Sequence, residues 1–195
     1  MRRAVKVLTG VAVVAVLFAV AGLIWIRSDL VRINRDLAAS ERSPLPRRVI
    51  DAIVAVEDPN FAKLSSQFVR SYLTRRGVAD LARELILDAV VDLRSHPEQI
   101  AQAYAQTVYF GTVDGRPIQG VSAAARTYFS VSPDQLTAAQ LASLVATIRS
   151  PRRFSPRVTS AQAGAWRLEV LSRMRSAHVI TSADYQTAAQ ALGKR

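Results

Sequence analysis

Hydrophobic residues recur at helical spacing along most of this chain, and no stretch alternates convincingly as a strand. The clearest segment is VADLARELILDAVVDL at 78–93, whose apolar positions share one helix face. A face of this width is typical of a helix packed on a protein core. We therefore expect an all-α fold in which the following side chains are buried: Val78, Leu81, Ala82, Leu85, Ile86, Ala89, Val90 and Leu93.

Capping boxes, in which a hydroxyl and an acid or amide three residues later satisfy free N–H groups, mark several helix starts. The pairs are Ser95 with Glu98, Ser132 with Gln135, and Thr137 with Gln140. They predict helices near 97–108, 133–136 and 138–149. After a loop at 150–157, two more helices are expected, around Ala161 to Ser176 and Ala183 to Leu192.

The chain has 20 uncharged residues from Val7 to Ile26, enough to cross a hydrocarbon core of about 30 Å as a helix. A cleaved signal peptide is the alternative, because Ala19, Val20 and Ala21 have the small-x-small form of a cleavage site. The apolar run continues past that site, which favours an uncleaved anchor. We expect three parts: a transmembrane anchor at 1–27, a connector at 28–46 and a helical domain at 47–195.

The net charge of the chain indicates which kinds of molecule it binds. The formal net charge is +11, which suggests an anionic partner: nucleic acid, phospholipid headgroups or a phosphorylated substrate. The anchor favours the last two, and the chain lacks the aromatic stacking platforms and reading helix of a nucleic-acid binder. Because there is no cysteine, disulfides, thiolate metal sites and a cysteine nucleophile are excluded.

Candidate chemistry is confined to carboxylates and arginines, since neither His96 nor His178 has a second metal ligand at helical spacing. Asp80, Glu84 and Asp88 form an acidic row at a spacing of four, a pattern typical of a solvated helix face.

Glu57 and Asp58 differ from that row, because they follow the apolar run of AIVAVEDPNF (52–61) at a predicted helix end. Asp58 precedes Pro59 and should leave the helix. The helix terminus, the apolar neighbours and the adjacent carboxylate should all raise the pKa of Glu57 toward the range of a general base.

These residues resemble the peptidoglycan glycosyltransferases of glycosyltransferase family 51, which also form the transglycosylase module of bifunctional penicillin-binding proteins. AIVAVEDPNF resembles the first family motif, a Glu-Asp pair followed by Phe. The likeness extends over about 47–190, through HPEQIAQAYAQTVYFG, GVSAAARTYFSVSPDQLTAAQLASLVATIRSPRRFSP and WRLEVLSRM. It implies a lysozyme-like helical transglycosylase domain.

The resemblance implies a reaction and a place for it. Glu57 would deprotonate the sugar 4-hydroxyl of lipid II, which then attacks the anomeric carbon of the growing, lipid-pyrophosphate-linked glycan. Glu84 would assist the pyrophosphate leaving group, directly or through a divalent cation, Mg²⁺ or Mn²⁺. The implied partners are lipid II, lipid-linked glycan, membrane phospholipid and other cell-wall synthesis proteins. The implied location is the bacterial inner membrane, single-pass, with the domain on the periplasmic side.

The resemblance also implies substrate-binding residues. Asp58 completes the first-motif pair, Gln67 and Arg70 fit the tail of the second motif, and Arg83 fits the basic residue before Glu84. Arg75 or Arg76 lies near a third basic position.

The chain departs from the family pattern in its central segment. Leu64 and Ser66 stand where the family has a His-x-Gly, a Gly-Gly-Ser-Thr-Ile stretch is missing, and Gln106 replaces an Asn. Glu57 and Glu84 are 27 positions apart, about half of what the family pattern suggests. An alternative is therefore a catalytically impaired member that binds lipid II or a cell-wall synthesis partner.

Overall fold

A computed structural model describes residues 24, 26–58, 64–73 and 78–193 of the chain. Within these ranges the protein consists of helices and a short hairpin. The elements are α1 (26–42), α2 (Arg47–Glu57), α3 (Leu64–Arg70), α4 (Val78–Arg94), α5 (Pro97–Thr107), β1 (Tyr109–Val113), β2 (Arg116–Gln119), α6 (Val121–Phe129), a 3₁₀ turn (Pro133–Gln135), α7 (Ala138–Arg149), α8 (Pro151–Phe154), α9 (Ala161–Ser176) and α10 (Ser182–Gly193).

Helix α7 forms the centre of the domain. Every residue from Leu141 to Thr147 is buried, so the helix is covered on all sides, and it packs against α2, α6, α9 and α10. Helix α2 in turn contacts α5, α7 and α9. Helix α2, which ends at Glu57, is therefore packed against the central helix of the described domain.

Two of the three predicted capping boxes are confirmed. The side chain of Gln140 accepts a hydrogen bond from the backbone N–H of Thr137 at 2.9 Å, and Gln135 does the same for Ser132 at 3.2 Å. The third is wrong by one residue, because His96 rather than Ser95 caps α5 and its N–H donates to Gln99. Proline lacks an N–H and is favoured at the first helical position, so Pro97 sets the cap at His96.

The expectation of an all-α fold is wrong at one place, because β1 and β2 form an antiparallel hairpin. Asp114 and Gly115 make its two-residue turn with φ values of 51° and 74°, the conformation that an Asp-Gly hairpin turn requires. Phe110 lies at a register shift in β1 and is fully buried. The fold is thus mainly helical, with a hairpin between α5 and α6.

Helix α4 has the predicted extent but the opposite orientation. Its predicted core face is turned outward, since Leu81, Leu85, Ile86 and Leu93 are 57%, 63%, 49% and 85% exposed. The buried side chains are instead Leu87 and Val91. The physical reason is that Arg83, Glu84 and Asp88 find polar partners on α1 and α3, and these contacts bring the other face inward.

Helix α1 is more than a polar connector, because Ile33 and Asp29 on it are fully buried. None of the helices in the described ranges is both long and apolar enough to cross a bilayer. Most of the predicted anchor from Val7 to Ile26 lies outside those ranges, as do Arg75 and Arg76.

Candidate functional site

Glu57 is the last residue of α2, as the sequence predicts. Asp58 leaves the helix with φ −160° and ψ 75°, in agreement with its position before a proline. The Glu57 side chain is half-buried, and this burial raises its pKa. The predicted direction of the shift is confirmed, and desolvation is its largest cause.

Two arginines moderate that shift. The guanidinium groups of Arg149, at the end of α7, and Arg173, on α9, lower the pKa of Glu57 against the effect of burial. Both guanidinium groups stack on the ring of Trp166, at 4.5 Å and 5.3 Å from its centroid. Trp166 is itself fixed by a 3.1 Å hydrogen bond from its indole N–H to the carbonyl of Ala146.

Sequence reasoning missed this arginine-tryptophan cluster. Arg149 and Trp166 also line a cavity of about 410 Å³. Arg167 holds the adjacent loop in place, because its guanidinium donates to the carbonyls of Ser155 and Val158, both at 2.7 Å. The segments containing these residues were visible in the resemblance, but no local pattern identified which arginines face α2.

Asp58 points into the protein. It is 5% exposed, and its Oδ2 accepts a 2.8 Å hydrogen bond from the backbone N–H of Leu64 at the start of α3. A buried carboxylate needs such a partner, since an unpaired one is costly. Asp58 therefore joins the end of α2 to the start of α3.

Glu84 lies on the inner face of α4 and is paired with Arg70 at the end of α3. The Glu84 side chain is 16% exposed, whereas that of Arg70 is 62% exposed. Arg70 therefore shields the carboxylate while keeping a solvent-accessible guanidinium group. Two of the predicted site residues, Arg70 and Glu84, are thus in contact.

Gln67 on α3 and Asp88 on α4 are both partly buried. The Oε1 atom of Gln67 is buried without a hydrogen-bond partner among the described residues. Asp88 accepts a 2.7 Å hydrogen bond from Ser66, and burial is the largest of the causes that raise its pKa. The solvated interpretation of Asp88 is thus wrong, while the side chain of Asp80 lies outside the described part.

Arg83 is directed elsewhere. It forms an ion pair with Asp29 of α1, and the two side chains are 17% and 0% exposed. Because Asp29 is completely buried, this pair ties α4 to α1. The predicted phosphate-binding position is thus engaged in an internal contact.

Glu57 and Glu84 each have their own set of charged neighbours. Among the described residues, no hydrogen bond or ion pair joins Glu57 or its arginines to Glu84 and Arg70. No group of three His, Cys, Asp or Glu side chains suited to a metal ion occurs in those residues either. A cavity of about 610 Å³ is lined by neither glutamate, but by the end of α1, α2, α5 and residues 177–179.

Comparisons with known proteins identify relatives of the chain. It is 31% identical over 106 residues to penicillin-binding protein 1B of Vibrio cholerae, covering 54% of this chain and 14% of that protein. It is 28% identical over 149 residues to penicillin-binding protein 1A of Mycobacterium tuberculosis, covering 60% and 18%. The crystal structure of penicillin-binding protein 1A from Haemophilus influenzae matches with a TM-score of 0.47 and 24% identity, covering 76% of this chain and 16% of that chain.

The chain spans less than a fifth of the length of these relatives. The family model described as Transglycosylase matches residues 62–175, more than half of the chain. This range contains Gln67, Arg70, Arg83 and Glu84, whereas Glu57 and Asp58 precede it. The chain belongs to the transglycosylase family.

Proposed function

We propose that the chain is a membrane-anchored peptidoglycan glycosyltransferase that polymerises lipid II into glycan strands. The observation that carries this proposal is the Glu57 carboxylate, half-buried at the end of α2 with its pKa raised by burial. In a chain of the transglycosylase family, such a carboxylate is suited to accept a proton at neutral pH.

In the proposed reaction Glu57 acts as the general base. As the 4-hydroxyl oxygen of lipid II bonds to the anomeric carbon of the donor, the hydroxyl proton passes to Glu57. The bond from that carbon to the pyrophosphate oxygen breaks, which releases lipid pyrophosphate. Arg149 and Arg173 lower the pKa of Glu57 against the effect of burial, which favours the ionised form that takes the proton.

The leaving group is assigned to Glu84 and Arg70, with Gln67 as a further substrate contact. Pyrophosphate gains negative charge as it departs, and an arginine guanidinium binds phosphate oxygens through paired, charge-assisted hydrogen bonds. Arg70 is exposed enough to do so while it contacts Glu84. Among the described residues the Oε1 atom of Gln67 is buried without a hydrogen-bond partner, so it would accept a hydrogen bond from a hydroxyl or N–H group of the substrate. Asp58 would support the site by fixing the start of α3.

A divalent cation is compatible with this arrangement. Mg²⁺ is commonly held by one or two carboxylates together with substrate phosphates. Glu84 and Asp88 are one helical turn apart, and the Glu84 charge contributes to the raised pKa of Asp88. These two residues would hold the ion, which would neutralise charge on the pyrophosphate.

The location follows from the proposed anchor and substrate. Residues 1–27 would hold the chain in the bacterial inner membrane, with the helical domain on the periplasmic side, in contact with phospholipid and lipid-linked glycan. Other cell-wall synthesis proteins are the expected protein partners.

The test is polymerisation of labelled lipid II by the purified full chain in detergent, with and without Mg²⁺. We expect Glu57→Gln to reduce the rate by about 100-fold or more, the usual contribution of a general base. Glu98→Gln is the matched control, because Glu98 is 77% exposed on α5, and it should leave the rate unchanged. Polymer from the native chain that Glu57→Gln does not diminish would exclude the proposed role of Glu57.

A non-catalytic relative that binds lipid II is the second candidate, and a specific observation favours it. Arg83 is engaged by the buried Asp29, so one of the expected phosphate contacts is diverted. This candidate predicts lipid II binding that weakens in Arg70→Gln, with no polymer formed by the native chain. Polymer formation by the native chain excludes it.

A further inference from the structure

The ring of Trp166 contacts both of the arginines that act on Glu57. The guanidinium Cζ atoms of Arg149 and Arg173 lie 4.5 Å and 5.3 Å from its centroid. Both distances are within the range of about 6 Å at which an aromatic face attracts a cation, and tryptophan attracts cations most strongly. One side chain therefore holds two arginines that belong to different helices, α7 and α9.

The ring holds these arginines without neutralising them, because an aromatic face attracts a cation but carries no net charge. Among the described residues Arg149 forms no ion pair, whereas Arg173 is paired with Glu169 at 2.9 Å. Burial raises the pKa of Glu57, and of the two arginines that lower it again Arg149 has the larger effect. The arginine that depends most on the ring is thus the one that acts most strongly on Glu57.

Trp166 is itself fixed relative to α7, the helix that ends at Arg149. Its indole N–H donates a 3.1 Å hydrogen bond to the carbonyl of Ala146, three residues before Arg149. Its half-buried ring also lies against Phe154, with the two ring centroids 6.1 Å apart. The ring and the last turn of α7 therefore keep one relative position.

The cavity beside the ring gives the arginines room to move. This cavity of about 410 Å³ is lined by Arg149, Trp166 and Glu169 among others, and Arg149 and Arg173 are exposed. A long exposed side chain has many rotamers, and holding it in one of them has an entropic cost. Without the ring, the cavity leaves room for Arg149 to turn away from Glu57.

The other groups around Glu57 do not replace these charges. Helix α2 packs against α5, α7 and α9. From α5, Tyr104 has its pKa raised by burial and further by the charge of Glu57, so its phenol is neutral at pH 7. Asp58 follows Glu57 in the chain but points inward to the backbone of α3. From the described parts of α7 and α9, the cations that act on Glu57 are Arg149 and Arg173.

We propose that Trp166 is a positioning residue, whose ring keeps Arg149 and Arg173 beside Glu57 and so keeps this carboxylate ionised for proton transfer. This inference rests on the proposed function, in which Glu57 is the general base. Removing the ring removes the fixed charges that oppose burial. The pKa of Glu57 should then rise.

The experiment measures the ionisation of Glu57 directly. The full chain in detergent is labelled with carbon-13 at the glutamate carboxyl carbons and titrated by NMR, and the Glu57 signal is the one lost in Glu57→Gln. We expect Trp166→Met, which keeps a large apolar side chain without an aromatic face, to raise the pKa of Glu57. The acidic limb of the pH–rate profile for lipid II polymerisation should also move to higher pH. The rate on that limb should fall by about threefold, an effect of the size usual for exposed charge pairs.

Three further variants separate the ring from the fold. Trp166→Phe keeps an aromatic face and should keep most of the native behaviour. Arg149→Gln, at an exposed position, should raise the pKa of Glu57, and adding Trp166→Met to it should raise this pKa less than in the native chain. Tyr185→Leu is the matched control, because it removes a ring that lies 4.1 Å from the guanidinium of Arg175, and it should leave both measurements unchanged.

Three results would overturn the inference. The first is an unchanged pKa of Glu57 in Trp166→Met. The second is a rate that falls equally at every pH in that variant, since a purely structural role has this effect. The third is an equal rise of the pKa in Trp166→Phe and Trp166→Met, which would mean that the aromatic face does not hold the arginines. Because the titration requires neither lipid II nor polymer, it tests the inference separately from the proposed reaction.

Discussion

Glu57 and Glu84 are held by two differently constructed parts of the molecule. Glu57 ends a helix that packs against α5, α7 and α9, and burial is the largest cause of its raised pKa. Glu84 lies on α4, whose inner face is fixed by ion pairs and hydrogen bonds and whose outer face is apolar and exposed. One glutamate is thus positioned by a packed core, and the other by a polar network on a helix with an exposed face.

The largest expected difference between the two regions is the loss of stability when a leucine is replaced by alanine in each. Leu144 on α7 is 1% exposed, whereas Leu85 on α4 is 63% exposed. We expect Leu144→Ala to lower the free energy of unfolding by about 4 kcal/mol through lost burial and a residual cavity. Leu85→Ala should change it by less than about 0.5 kcal/mol, as surface substitutions usually do.

Denaturant unfolding of the full chain in detergent, followed by circular dichroism, measures both variants. Similar losses for the two would show that α4 is packed as tightly as α7. That result would also remove the basis for an outward-facing apolar surface.

The ion pair between α1 and α4 gives the next largest effect. Asp29→Ala removes a completely buried carboxylate that contacts both Arg32 and Arg83. We expect a loss of about 3 kcal/mol, at the lower end for a broken buried pair because both arginines keep some exposure. The double variant Asp29→Ala with Arg83→Met should recover part of this loss, since it also removes the arginine charge that Asp29 balances. Thermal unfolding of the single and double variants tests it, and no recovery would mean that the pair does not account for the loss.

Prediction from sequence succeeded where local signals coincide with the fold. Thr137 with Gln140 identifies the start of α7, and the position before Pro59 identifies the end of α2. Prediction from sequence failed where the orientation of a helix depends on residues far away in the chain. The apolar period of 78–93 assigns the wrong face to α4, because Asp29 lies more than 50 positions before Arg83 in the chain and no local pattern links them.

The hairpin and the arginines near Glu57 were also not predicted from the sequence, for two different reasons. The Asp114-Gly115 turn was a readable signal, but the strands beside it are too short to alternate clearly. Arg149 and Arg173 come together at Glu57 because α7 and α9 both pack on α2, which is a tertiary fact. The candidate carboxylates and Arg70 could be chosen from sequence, whereas Arg149 and Arg173 beside Glu57 could not.

The smallest expected effect is a change in stability with pH that depends on the Glu57 carboxylate. Because burial raises the pKa of Glu57 in the folded state, the fold binds the protonated form better than the ionised one. Glu57 therefore stabilises the fold most at low pH. This stabilisation is lost as the pH rises from 4.5, the pKa of the glutamate in the unfolded chain, through the raised pKa in the folded state. The free energy of unfolding of Glu57→Gln relative to the native chain should therefore be higher at pH 7 than at pH 4.

Urea unfolding at the two pH values measures this change, with Glu98→Gln as the exposed control. A difference between Glu57→Gln and the native chain that is independent of pH would mean that burial does not control this carboxylate, and the contrast with Glu84 would disappear.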